Sequence, residues 1–158
     1  MRSARSLFVY ALIALFVGAV LQSGEYLIAA GVKPNLVLVL LAVFSLFTAR
    51  LSYFGILAVC GVFFLDFTPG ISWEMGGLLC IAMLFFYARN RFLTPGPLAA
   101  ILFTMLGTIL FYLLISPALL YDGVAILAKE ILYNGLLSVV IFVATGFIYE
   151  KKGGSAIR

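Results

Sequence analysis

Six long apolar runs, each parted from the next by only a few polar or helix-breaking residues, govern what this chain can fold into. An α-helix needs about 20 apolar residues to cross a hydrocarbon core, so six such spans would take roughly 120 positions. The chain has 158 residues, which leaves about 38 for all connections and both ends. Hydrophobic residues make up 65% and charged residues 10%, against roughly 45–50% and 25% in soluble domains. The expectation is an all-α, polytopic membrane helical bundle with six transmembrane helices. Residues 1–150 would form a single integral membrane domain and 151–158 a short cytoplasmic tail.

Several chemistries are weakened at once. The chain has no histidine, hence no imidazole base and no histidine metal ligand. No glycine-rich phosphate loop of the G-x-x-x-x-G-K-[ST] kind occurs. Cys60 and Cys80 both fall in apolar stretches without metal or redox spacing and read as packing residues. A formal charge of +4 would suit nucleic acid if the basic residues clustered, but they lie spread at the ends of the apolar runs. They report membrane orientation instead, so the lipid bilayer is the expected partner and nucleic acid, cofactor and metal are not.

The runs are Leu7 to Leu21 with a continuation toward Leu27, Pro34 to Thr48, Leu51 to Leu65, about Ile71 to Tyr87, Pro97 to Ser116, and about Ala125 to Tyr149. Arg2 and Arg5 precede the first, which reads as an uncleaved span because no small-x-small cleavage site follows it. Pro34 is expected in the first turn of the second helix, where proline is tolerated. Asp66 to Trp73 forms a turn through Pro69 and Gly70, and Arg89 to Pro97 forms the next connection, with Arg89 and Arg91 in it. With the amino terminus in the cytoplasm, eight of the ten basic residues fall inside, leaving Lys33 and Lys129 outside. Five of the six acids fall outside. This charge pattern obeys the positive-inside rule at every loop and places both termini in the cytoplasm. The second and third runs hold about 15 residues each, roughly 22 Å of helix and short of a full span.

Ionisable or polar residues at membrane depth are candidates for function. Lys129, Glu130 and Asn134 lie in the first half of the last helix; Glu130 and Asn134 share a face at i, i+4, and Lys129 pairs with Tyr133 at the same spacing. Two readings stand: structural bonding between helices, or contact with a partner or ligand. Asp66, beside the Pro69-Gly70 turn, is expected to cap loop amides. Ala100, Thr104 and Thr108, and Ala14 with Gly18, form small-residue seams suited to close helix packing.

Three stretches together resemble the MreD family of rod shape-determining membrane proteins. They are Lys33-Pro34-Asn35-Leu36 opening a leucine and valine run, Gly61 through Asp66 to Gly70 with Gly76 and Gly77 beyond, and Glu130 to Phe142 with its asparagine. The chain departs from the family at Asn35, where an aspartate is frequent, and at Pro69-Gly70, which is less glycine-rich than the usual turn. The resemblance implies a non-catalytic scaffold of the cell-wall elongation machinery in the bacterial cytoplasmic (inner) membrane. Its direct partner would be MreC, a single-span periplasmic coiled-coil protein. Through MreC it would reach the actin-like filament protein, the glycan polymerase and its transpeptidase. Asp66, Gly70, Lys129, Glu130, Tyr133 and Asn134 would serve as partner-binding or structural polar positions.

The family's bundle is also similar to the substrate-binding subunits of vitamin-type transporters. That supplies a second expectation, a small-solute-binding membrane subunit with an outer pocket built from Asp66, Trp73, Glu74, Glu130 and Asn134. An enzyme is not expected, because no nucleophile and base come into view.

Overall fold

The computed structural model describes residues 2–24, 28, 31–65, 72–92 and 96–151; for residues 2–6, 90–92, 119, 120 and 151 it describes the backbone alone. Among the described residues the chain is all-helical. The elements are α1 (Arg2–Ser23), α2 (Leu36–Phe47), α3 (Leu51–Leu65), α4 (Trp73–Phe92), α5 (Pro97–Ile115), a single turn α6 (Leu119–Asp122) and α7 (Val124–Lys151). The six longer helices run alternately up and down. Two of them, α5 and α7, are long and apolar enough to cross a membrane.

The architecture is a ring of helices around α2, which packs against α1, α3, α4, α5 and α7. Every one of the 12 residues of α2 is buried. Its sequence, LVLVLLAVFSLF, is apolar on all sides, and a helix without a polar face has no stable place except a core or a membrane. At 1.5 Å per residue α2 is about 18 Å long, whereas α4 spans about 30 Å and α7 about 42 Å. The helix around which the bundle is built is therefore its shortest long element.

Close approach to α2 is made by small residues. A Cβ on Gly18 of α1 would lie 2.6 Å from Leu40 Cδ1, and one on Gly107 of α5 would lie 3.3 Å from Leu38 Cδ2 and overlap the tip of the Phe85 ring of α4. Phe85 is itself stacked on Phe103 at 5.1 Å between centroids, so it has little room to yield. The seam expected at Ala100, Thr104 and Thr108 is accordingly buried throughout.

The helix boundaries differ from the sequence expectation at several points. Helix α2 starts at Leu36 with Asn35 as its cap, whose side chain accepts from Leu38 N–H at 3.1 Å. Pro34 stands before the cap because asparagine can satisfy an orphan amide and proline cannot. Ser72 caps α4 by accepting from Met75 N–H at 3.3 Å, so α4 begins at Trp73. At its far end α4 runs on through Arg89 and Arg91 to Phe92, where a connection was expected. Arg2 and Arg5 lie within α1, which stops at Ser23. The turn residues Asp66, Pro69 and Gly70 lie outside the described residues, as do Glu25 to Leu27 and the tail from 152.

The polarity of α7 is the reverse of a soluble surface helix. Glu130, Asn134, Ser138 and Thr145 are buried, while Leu132, Leu136, Val140, Val143 and Phe147 on the other face are exposed. Helix α5 repeats the pattern, with Thr104 and Thr108 inside and Leu102, Leu106, Ile109 and Leu113 outside.

Candidate functional site

Both ends of a helix leave backbone groups without intrahelical partners, and in α2 both ends are inside the bundle. Other elements supply the missing partners. At the amino end, Gln22 of α1 accepts from Val37 N–H at 3.1 Å, and its amide nitrogen approaches Asn35 Oδ1 at 3.5 Å. Asn134 of α7 accepts from Asn35 N–H at 3.0 Å. At the carboxyl end the guanidinium of Arg89 donates to the carbonyls of Ser45, Thr48 and Ala49. It also lies 4.2 Å over the ring of Phe86.

The amino-end cluster extends as rungs between antiparallel α5 and α7. Asn134 Nδ2 donates to Thr108 Oγ1 at 3.1 Å, and Tyr112 O–H donates to Glu130 Oε2 at 2.5 Å. Thr108 in turn donates to the Thr104 carbonyl at 2.9 Å. Positions 108 and 112 face 134 and 130, so the four-residue spacing of each helix is matched by its neighbour. Asn134 is fully buried and Glu130 is 5% exposed.

This polar cluster borders a cavity of about 510 Å³ that opens at the same end of the bundle. Gln22, Asn35, Ser72, Tyr112 and Glu130 line its polar side, with Lys33 and Glu74, both exposed, also in its wall. Val62, Leu65, Met75, Leu78 and Phe111 form its apolar wall. A smaller cavity of about 120 Å³ lies at the opposite end, where Phe47, Thr48, Ala49, Arg50 and Tyr53 meet Tyr149. One cavity sits before the start of α2 and the other past its end. Both follow from a central helix shorter than the ring around it.

The positions singled out from the sequence separate into three groups. Glu130 and Asn134 do share a face, and that face is turned into the bundle, where it bonds Tyr112, Thr108 and Asn35. Lys129 is exposed and Tyr133 half-buried, so neither joins the cluster. Asp66 and Gly70 lie outside the described residues. Of the outer pocket expected from Asp66, Trp73, Glu74, Glu130 and Asn134, Glu74 and Glu130 line the cavity. Asn134 stands behind its wall, and Trp73 points outward with its indole N–H on the Leu114 carbonyl at 3.2 Å.

Sequence reasoning missed Gln22, Asn35, Tyr112 and Arg89 as site or capping residues. The usable signal was the matched spacing of 104, 108 and 112 with 130, 134 and 138 on adjacent antiparallel helices. Among the described residues no three histidine, cysteine, aspartate or glutamate side chains come together to hold a metal ion. The groups present suit hydrogen bonding and ionic recognition. No protein-family model matches the chain, and no curated protein or solved structure is significantly similar to it.

Proposed function

We propose that this chain is a multi-pass inner-membrane protein that acts as a non-catalytic scaffold of bacterial cell-wall elongation and binds MreC. The inverted polarity of α5 and α7 supports the membrane part of this reading. Soluble monomers expose few contiguous apolar patches beyond a few hundred Å², whereas here whole helix faces are apolar outside and polar inside. The short α2 and α3 then cross as part of an enclosed bundle, with α2 shielded from lipid on all sides.

The observation that carries the scaffold reading is the meeting of the three stretches that resemble the MreD family. Asn35 of the first is hydrogen-bonded to Asn134 of the third across 99 residues of sequence. Gly61 of the second packs on α2, where an added Cβ would lie 3.3 Å from Val37 Cγ1, and Val62 and Leu65 share the cavity wall with Asn35 and Glu130. Residues scattered through the sequence thus build one structural node, as a family signature would. In this reading the outward apolar faces of α5 and α7 serve lipid and partner helices, and both termini lie in the cytoplasm.

The cavity favours a second reading, a small-solute-binding subunit of a vitamin-type transporter. Affinity purification of the full chain in mild detergent, with identification of co-purifying membrane proteins, separates the two. Recovery of a single-span protein with a periplasmic coiled coil, together with loss of rod shape on depletion, is the expected result. Recovery of an energising ATPase module without such a protein would overturn the scaffold reading.

A further inference from the structure

We propose that the cavity at the amino end of α2 binds a small organic cation, an amine with an apolar body whose ammonium group rests on the Glu130 carboxylate. The inference is independent of which partner the chain has, since it concerns the isolated protein. The volume of about 510 Å³ lies within the range of roughly 300–1,000 Å³ that small-ligand sites occupy.

The charge preference follows from the groups that line the cavity. Gln22 holds Val37 N–H and approaches Asn35, Asn35 caps α2, and the Tyr112 hydroxyl is given to Glu130. Neutral donors remain on the Asn35 and Gln22 amides and the Ser72 hydroxyl, and Lys33, at the exposed mouth, is the one cationic group among the described lining residues. Glu130 is different: it is a buried carboxylate that lines the cavity, where Tyr112 donates to its Oε2. A desolvated carboxylate in a cavity wall favours a donor bearing positive charge. Glu74 adds a second carboxylate and Lys33 one ammonium, both exposed, so the described lining residues hold two acids and one base. Phe111, Met75, Leu78 and Val62 give the ligand's apolar part a wall to pack on, with the Phe111 ring available to a cation.

The test uses the full chain in a non-ionic detergent micelle and three probes of similar shape: 2-phenylethylammonium, neutral 2-phenylethanol and anionic 3-phenylpropionate. Titration calorimetry, corrected for partitioning of each probe into empty micelles, reads binding. The expected result is saturable binding of the ammonium at least about tenfold tighter than the alcohol, since removing one partner of a buried charge pair is costly. Glu130→Gln should abolish that preference. Should Glu130→Gln fail to fold, Ile115→Phe, a change at a half-buried lining residue that narrows the cavity, should weaken ammonium binding at an unchanged melting temperature. Equal affinity for ammonium and alcohol, tighter binding of the carboxylate, or a response no different from empty micelles would overturn the proposal. So would undiminished ammonium binding in folded Glu130→Gln or Ile115→Phe.

Discussion

Replacing Arg89 by lysine separates two roles that one side chain performs. In the proposed membrane topology Arg89, a basic residue beside an apolar span, contributes to orientation, and lysine would do that equally well. As a cap on α2, it needs the planar fork of the guanidinium, which one ammonium cannot reproduce. The magnitude depends on which carbonyls lose their partner without gaining water. Ser45 is fully buried, Thr48 half-buried and Ala49 exposed, so the Ser45 carbonyl dominates. A hydrogen bond to a charged donor contributes about 1.5–3 kcal/mol, and the Phe86 contact adds about 0.5–2 kcal/mol. Arg89→Gln should therefore lose about 2–5 kcal/mol of stability. Arg89→Lys, which still reaches one carbonyl, should lose about 1–2 kcal/mol. Reversible unfolding in mixed micelles, followed by circular dichroism, measures this, and cysteine labelling confirms unchanged orientation. If Arg89→Lys stayed within about 0.5 kcal/mol of the parent, the range of an ordinary surface change, the capping account would be wrong.

Asn134→Leu strands the buried Asn35 N–H and removes the Thr108 rung, so a loss of about 1–3 kcal/mol is expected in the same unfolding assay. The double variant Glu130→Ala with Asn134→Leu should destabilise the isolated chain itself; normal stability with weakened partner recovery would place the stripe on an outer surface instead. Gly107→Ala should cost about 1–3 kcal/mol through overpacking against Phe85, read as a lowered unfolding midpoint, whereas Gly76→Ala, with open space around it, should not. In a variant lacking Cys60 and Cys80, a cysteine at Ala118 should react with an impermeant reagent from outside and one at Ser52 only after permeabilisation; the opposite pattern would invert the topology.

Apolar runs and breakers were enough to locate all six long helices, because hydrophobic length and proline or glycine breaks act locally. Helix α3 matches its run from Leu51 to Leu65, and Pro97 opens α5 as its spacing implies. What was not legible depends on distant partners. Arg89 is read as part of a connection until the carbonyls of Ser45, Thr48 and Ala49 are seen beside it, and Gln22 is an end-of-run polar residue until the start of α2 lies next to it. Glu130 and Asn134 were recognisable as a stripe from spacing alone. Their inward direction required knowing that Thr108 and Tyr112 stand opposite. The enclosure of α2 was also hidden, since a fully buried helix and a lipid-facing one share the same composition.

That enclosure bears on how the protein can change over evolutionary time. Most helices possess a side on which substitutions drift with little effect, and in α5 and α7 it is the exposed apolar stripe, where one apolar residue is as good as another. Helix α2 has no such side. Each of its 12 positions meets neighbours packed at core density, so replacements there are confined to near-equal volumes. A saturation library should return α2 as an unbroken block of intolerance between permissive segments. Distant relatives are then best sought by aligning that block together with Asn35 and Asn134, while the far larger apolar remainder of the chain diverges freely and obscures descent.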